Sequence, residues 1–209
     1  VFDWDGTLFD STATIAHAIR SAAADLEFPD PGMELASHVI GLGLTEALSI
    51  AVPQMPAERA AEFCARYRFH YVSREAQLQL FPHARELVAA LRDRRRRLAI
   101  ATSKSRAGLR RALDGHGLAA QFAASRCAGE TEPKPPPRML LELAEEMQIA
   151  PTRMLMVGDT THDLQMARRA GVAAVGLAHG AHSRSQLRQA VALTIVECLS
   201  ELHRWLMPD

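Results

Sequence analysis

Short apolar runs alternate along this chain with longer amphipathic stripes. Residues 98–101 (Leu-Ala-Ile-Ala), 154–157 (Met-Leu-Met-Val) and 173–177 (Ala-Ala-Val-Gly-Leu) are continuous apolar runs of the kind that form strands buried on both faces. Residues 1–4 (Val-Phe-Asp-Trp) read as the end of a first strand. Between the runs, Ala84, Leu87, Val88 and Leu91 recur at helical spacing, as do Leu140, Leu143, Ala144 and Met147, and Pro137 suits the first turn of that second helix. Strands alternating with helices predict an α/β fold, a mostly parallel sheet with helices on both faces.

One segment interrupts the alternation. Residues 12–81 are too many for a structureless loop in a compact domain. Their patterns are helical: Ile15, Ile19, Ala22 and Leu26 form one stripe, and Ala60, Phe63, Tyr67 and His70 another. Phe28-Pro29-Asp30-Pro31-Gly32 and Gly41-Leu42-Gly43 break the segment into pieces. The expected organisation is a Rossmann-like three-layer core, residues 1–11 and 82–209, with an all-helical domain, residues 12–81, inserted after the first strand.

Composition narrows the class. The 209 residues are 48% hydrophobic and 23% charged, as in a folded globular protein. Lys+Arg and Asp+Glu stand at 24 each, so no global charge favours nucleic acid or a membrane surface. Five arginines fall among the six residues 92–97, a pattern that more often marks a solvated helix end than a polyanion site. Cys64, Cys127 and Cys198 are odd in number and widely spaced, which disfavours a disulfide framework or zinc site and fits a reducing cytosol. No stretch approaches the ~20 apolar residues of a membrane span. The chain opens on Val1 rather than Met, so upstream residues are expected, and a cleaved targeting segment stays open.

Four short motifs carry the chemistry. In Asp3-Trp4-Asp5-Gly6-Thr7, an extended backbone would turn Asp3 and Asp5 to the same side. Paired carboxylates repel unless one is protonated or a cation joins them, and Mg²⁺ takes such hard oxygen ligands. One carboxylate can then attack phosphorus while its neighbour moves the proton. Thr102-Ser103-Lys104, directly after an apolar run, offers a hydroxyl and backbone N–H groups to a phosphate. Lys134, inside Glu132-Pro133-Lys134-Pro135, is held stiffly by the proline that follows and could neutralise a transferring phosphoryl group. In Gly158-Asp159-Thr160-Thr161-His162-Asp163, the second Asp lies one turn into a helix starting near Thr161, so both can face one metal. Each motif alone has a plainer reading: an Asp-Gly turn, a helix N-cap, an exposed lysine in a Pro-rich loop, acidic helix caps. Their convergence at the carboxyl ends of strands, where open parallel sheets bind ligands, argues for one site.

These four motifs, in this order, resemble those of the haloacid dehalogenase-like superfamily across nearly the whole chain. The helical insert resembles the cap of its phosphoglycolate phosphatase-like subgroup. Leu80-Phe81-Pro82-His83-Ala84 is similar to the return of the chain to the core, with His83 where a glycine is more usual, and residues 176–187 also look like that subgroup. The resemblance implies Asp3 as nucleophile and metal ligand, and Asp5 as general acid/base lending its carbonyl to Mg²⁺. Thr102 and the Ser103 backbone would bind the phosphoryl group, Lys134 would stabilise charge, and Asp159 and Asp163 would complete the metal site, Asp163 through water or Lys134. Gly41 and Gly43 would form a flexible loop over the site. Asp5 fills a position that dehalogenases and phosphonate hydrolases lack, which favours phosphate-ester chemistry. The expected activity is Mg²⁺-dependent hydrolysis of a small phosphomonoester, phosphoglycolate-like or a sugar phosphate. A phosphosugar mutase is the alternative. A non-catalytic phospho-ligand binding module ranks last, since Asp3, Asp5, Lys134 and Asp159 are all present. The expected partner is a small phosphorylated metabolite, without nucleic acid or membrane, bound by a cytoplasmic monomer or weak dimer. Arg20, Arg66, Arg68, His70, Tyr71 and Arg74 are the polar or cationic cap groups that could reach a phosphorylated acid, but most fit solvated helix faces better, and His70 and Tyr71 fit the cap's small core equally well.

Overall fold

The computed structural model describes residues 1–208. The first three residues form the centre of the sheet. Phe2 donates to Ala99 O and accepts from Ala101 N, while Asp3 N donates to Val157 O and Val157 N to Val1 O, each at 2.9 Å. Residues 1–3 thus lie parallel between two strands, β1 (Ala99–Ser105) and β3 (Leu155–Gly158), with Phe2 bridging to both Ile100 and Val157. β2 (Ala124–Ala128) flanks β1, and β4 (Ala173–Leu177) and β5 (Thr194–Val196) follow β3, all parallel. β2 and β5 escape a periodicity reading because Ala-Ser-Arg-Cys-Ala and Thr-Ile-Val are too mixed or too short to show one.

Strand alternation then sorts the core into two layers. Phe2, Ile100, Val157 and Val175 face α5 (Ala84–Asp93), α6 (Arg106–Gly115) and α10 (Leu199–Leu206). Ala99, Ala101, Met156 and Ala174 face α7 (Arg138–Glu146) and α8 (Thr161–Ala170), with Leu187 of the short α9 (Arg184–Leu187) beside them. This is the expected three-layer α/β architecture. Pro137 is the N-cap of α7, one residue outside the helix rather than in its first turn. The basic run 92–97 is exposed throughout at the end of α5, as a solvated helix terminus should be. His83 adopts φ 70°, the left-handed region that favours glycine, and its ring lies 2.7 Å from His203 Nδ1.

Helices α1 (Thr12–Asp25), α2 (Gly32–His38), α3 (Leu44–Ala51) and α4 (Ala60–Glu75) surround a second apolar cluster that includes Ile15, Ile19, Ala22, Leu48, Phe63 and Tyr71. His70, placed in the apolar stripe by its spacing, instead meets Asp25 at 2.8 Å, and Tyr71 is the buried residue. Two short antiparallel segments join the insert to the sheet: Asp10 N donates to Gln79 O and Phe81 N to Leu8 O, each at 2.9 Å. Among the described residues no helix is long and apolar enough to cross a membrane.

Candidate active site

Residues 1–3, β1 and β3 lie side by side, and each delivers one group to the same place: Asp3, Thr102 inside β1 where its register with β2 breaks after Ala101, and Asp159 beyond Gly158. Asp3, Asp159 and Asp163 are buried, with one carboxylate oxygen of each within 4.8 Å of the others. Lys134 is fully buried among them, 2.6 Å from Asp163 Oδ1 and 3.0 Å from Asp3 Oδ1. It is no exposed loop lysine. Trp4 N also donates to Asp3 Oδ1, at 2.7 Å, so both contacts fall on one oxygen. Asp159 accepts from Thr7 Oγ1 at 2.7 Å and from Ala181 N at 2.8 Å.

Asp163 is positioned by the start of α8. Thr160 caps the helix, its hydroxyl accepting from Asp163 N while Asp163 Oδ2 accepts from Thr160 N at 3.1 Å, a reciprocal capping box. Asp163 is therefore both a helix cap and the partner of Lys134. The capping geometry leaves Oδ1 free to face the lysine.

Three buried carboxylates against one ammonium leave an excess of negative charge. Burial pushes the Asp3 carboxyl up to about 7, Lys134 only partly opposing it, and burial with the neighbouring Asp3 and Asp163 pushes Asp159 well above the carboxylate range. Burial lowers the Lys134 pKa, but Asp163 and Asp3 outweigh that effect and raise it, so it stays charged. An all-oxygen, anion-rich donor set of this kind fits a hard divalent cation.

Glycines permit the close approach. A Cβ on Gly6, at φ 80°, would lie 2.1 Å from Asp159 Oδ2, and one on Gly180 would lie 2.2 Å from the same atom. The Asp159 carboxylate thus fits between two backbones.

A cavity of about 1120 Å³ opens over this group, lined by Asp3, Asp5, Thr102, Ser103 and Lys104 from the sheet side and by Gly41, Gly43, Tyr71 and Glu75 from the insert. Asp3 and Asp5 share it, as alternation predicts, but the Asp5 carboxylate stands apart from the three-carboxylate group. It accepts from Ser11 Oγ at 2.7 Å and from Lys104 Nζ at 3.3 Å. Thr102 is buried and its hydroxyl accepts from Lys104 N at 3.2 Å. Ser103 Oγ donates to Gly41 O at 2.6 Å. The strand continues past Ala101 to Ser105 with a break in register, and Ser105, not Thr102 or Ser103, caps the next helix. Gly41, at φ 95°, passes 3.0 Å from Thr160 Oγ1 (measured from an added Cβ), and Gly43 comes similarly near Pro133.

The model for haloacid dehalogenase-like hydrolases matches residues 1–177. The chain belongs to that family. It is 35% identical over 208 residues to "Probable phosphatase IndB" of Dickeya dadantii, covering 97% of this chain and 90% of that protein. It is 33% identical over 189 residues to the phosphoglycolate phosphatase of Aliivibrio fischeri, covering 86% and 83%. Among solved structures, a hydrolase from Pseudomonas syringae superposes with a TM-score of 0.90 at 26% identity, over 98% of this chain and 95% of that one. The haloacid dehalogenase-like hydrolase described here therefore sits in the subgroup represented by phosphatase-named relatives.

Of the six insert residues weighed for ligand contact, Arg68 and Tyr71 line the cavity of this family member. Arg20 pairs with Asp30, and Arg66 and His70 with Asp25, on the outside of the insert. Arg74 is exposed and does not line the cavity. Thr7, part of the first motif but given no role there, and Ala181, within residues 176–187, hold Asp159, with Gly180 close against it; the motifs alone do not reveal these contacts.

Proposed function

We propose that this haloacid dehalogenase-like hydrolase is a Mg²⁺-dependent phosphatase acting on small phosphomonoesters through an aspartyl-phosphate at Asp3. One observation carries the reading: Asp3 borders the cavity with Trp4 N and Lys134 both on Oδ1, which leaves Oδ2 clear to attack.

Asp3 attacks phosphorus and the bond to the leaving oxygen breaks, Asp5 supplying the proton that the departing alkoxide needs. Water then attacks the phosphorus, Asp5 takes its proton, and inorganic phosphate leaves with Asp3 regenerated. Thr102 and Ser103 bind the phosphoryl oxygens, and Lys134 balances the charge on Asp3 and on the group in transfer. Asp3, Asp159 and the Asp5 carbonyl would hold Mg²⁺, with Asp163 acting mainly by fixing Lys134. When bound, the cation neutralises the excess acid and draws charge from the phosphoryl oxygens. Residues 12–81 serve as the cap, the antiparallel crossing at Asp10 and Phe81 as its hinge, and the Gly41–Gly43 loop as its edge over the site.

The test is release of inorganic phosphate from a metabolite panel with and without Mg²⁺, with Asp3→Asn as the control. Equal rates for the two proteins on every substrate would sink the proposal. Isomerised sugar phosphate without phosphate release would point to a mutase instead.

A further inference from the structure

Helix α2 of the insert ends against the core, and its closing carbonyls are held by core side chains. Among the described residues no backbone N–H reaches His38 O, the last carbonyl of the helix. It accepts instead from His182 Nε2 at 2.9 Å and from His162 Nε2 at 3.3 Å. Three residues on, Gly41 O accepts from Ser103 Oγ at 2.6 Å. The His38 ring also stacks on the His182 ring, their centroids 5.0 Å apart.

His182, itself buried, is where this contact meets the acidic group. Thr161 N donates to its Nδ1 at 3.0 Å, so Nδ1 carries no proton. A carbonyl only accepts, so the proton sits on Nε2 and points at His38 O. Thr161 N belongs to the first turn of α8 and His38 O to the last turn of α2, two places where a helix leaves its own backbone groups unpaired. One imidazole satisfies both. The backbone N of His182 donates to Asp159 O at 3.3 Å, and that of Ala181 to Asp159 Oδ2 at 2.8 Å. If the insert moved off the core, Nε2 would lose its acceptor and the ring its hold on the start of α8. Conversely, an ion that fixes Asp159 steadies the backbone carrying this ring. We propose that His182 is a positioning residue through which seating of the insert and Mg²⁺ binding at Asp159 strengthen each other. The proposal rests on the Mg²⁺ site and the cap assigned above, and names the side chain that joins them.

The experiment measures Mg²⁺ affinity by titration calorimetry and amide hydrogen exchange in residues 39–44, without substrate, in wild type, His182→Asn and His182→Gln. Asn keeps an acceptor for Thr161 N at the δ position but does not reach His38 O. Gln carries a donor at the ε position and can restore that contact. His162 and Ser103 still hold the insert in both variants, so the contact is loosened rather than released. In wild type, Mg²⁺ should slow exchange in residues 39–44 by about two- to tenfold, the scale of one hydrogen bond. His182→Asn should exchange faster there, respond little to Mg²⁺ and bind it about two- to tenfold more weakly, with His182→Gln between the two. A side chain that only packs the core would lower overall stability and leave Mg²⁺ affinity as in wild type, and that result overturns the proposal. Wild type decides even where a variant does not fold: Mg²⁺ bound without any change in residues 39–44 overturns the coupling and leaves the metal site standing. A wild type that binds no Mg²⁺ overturns the metal reading and the coupling with it.

Discussion

Lys134 Nζ lies 2.6 Å from Asp163 Oδ1 with both side chains cut off from solvent, so each charge depends on the other rather than on water. Asp3, at 3.0 Å, shares the same ammonium. Breaking such a buried pair by removing one partner typically costs about 3–5 kcal/mol, because the surviving charge stays buried.

Lys134→Met should therefore destabilise the metal-free protein by about that amount and abolish turnover. Added Mg²⁺ should recover part of the stability, since a cation can take over some of the lost charge balance. Denaturant unfolding with and without Mg²⁺ checks this. A variant as stable as wild type in EDTA would mean that the lysine does not hold the carboxylates together.

The raised Asp3 pKa predicts an unusual pH profile. The folded protein keeps a proton on Asp3 up to about 7 that the unfolded chain loses near 3.8, the ordinary aspartate value. At Asp3 the folded state thus binds more protons, and this carboxyl's contribution to the stability of the metal-free protein falls as pH rises through that window. At ~1.4 kcal/mol per pH unit, the loss from Asp3 alone is at most about 4 kcal/mol. Asp159, raised by burial and by its acidic neighbours, adds to it in the same direction. Metal ligands must be deprotonated, so the stabilisation given by Mg²⁺ should grow as pH rises across the same window. Buried His162, held down to about 4 by burial, contributes in the opposite sense. Thermal melts of wild type and Asp3→Asn from pH 5 to 8 (roughly the working range), with EDTA or Mg²⁺, are therefore compared; a metal-free wild type that loses no more stability than Asp3→Asn as pH rises contradicts the assignment.

The first prediction concerns residues legible from sequence, and the reason is local. Asp3, Thr102 and Asp159 each follow an apolar run, so the ends of those runs in adjacent strands place them together, although β1 itself continues past Thr102 to Ser105. Asp163 needs only helical spacing from Asp159. Glu75 and Lys104 were out of reach because 29 positions separate them and their meeting depends on how α4 folds over the sheet, which no period in the sequence encodes. Asp5 was half legible: alternation turned it toward the cavity beside Asp3, but the turn at Gly6 set its carboxylate on Ser11 and Lys104 instead of in the acidic group. The strand segments β2 and β5 were missed because their few residues carry no consistent apolar pattern.

Gly180 offers a test of the close packing around Asp159. A methyl there would lie 2.2 Å from Asp159 Oδ2, the oxygen that accepts from Ala181 N. Gly180→Ala should displace that carboxylate and weaken Mg²⁺ binding by roughly ten- to a hundredfold, the usual scale for losing support of a metal ligand. Gly115→Ala, where an added Cβ meets nothing within 4 Å, is the matched control and should leave Mg²⁺ affinity unchanged. Titration calorimetry on both variants decides. Equal affinities would place the metal away from Asp159.

Asp5 makes the sharpest demand on chemistry. Its carboxylate borders the same cavity as Asp3 but stands outside the acidic group, held by Ser11 and Lys104. A proton donor placed there matters in proportion to how badly the leaving oxygen needs a proton. An alkoxide leaving from glycerol 3-phosphate is strongly basic, whereas p-nitrophenolate leaves without help. Asp5→Asn, close in shape to aspartate, should cut the rate of phosphoryl transfer to Asp3 from the alkyl ester by about 10²–10⁴ and from p-nitrophenyl phosphate by much less. With the aryl ester, hydrolysis of the phosphorylated Asp3 still requires a base, so the intermediate should accumulate and give a burst of p-nitrophenol followed by a slow steady rate. Rapid-quench kinetics on the two substrates resolves these steps. Equal losses on both esters with no burst would remove Asp5 from proton transfer and leave it the simpler task of anchoring Lys104.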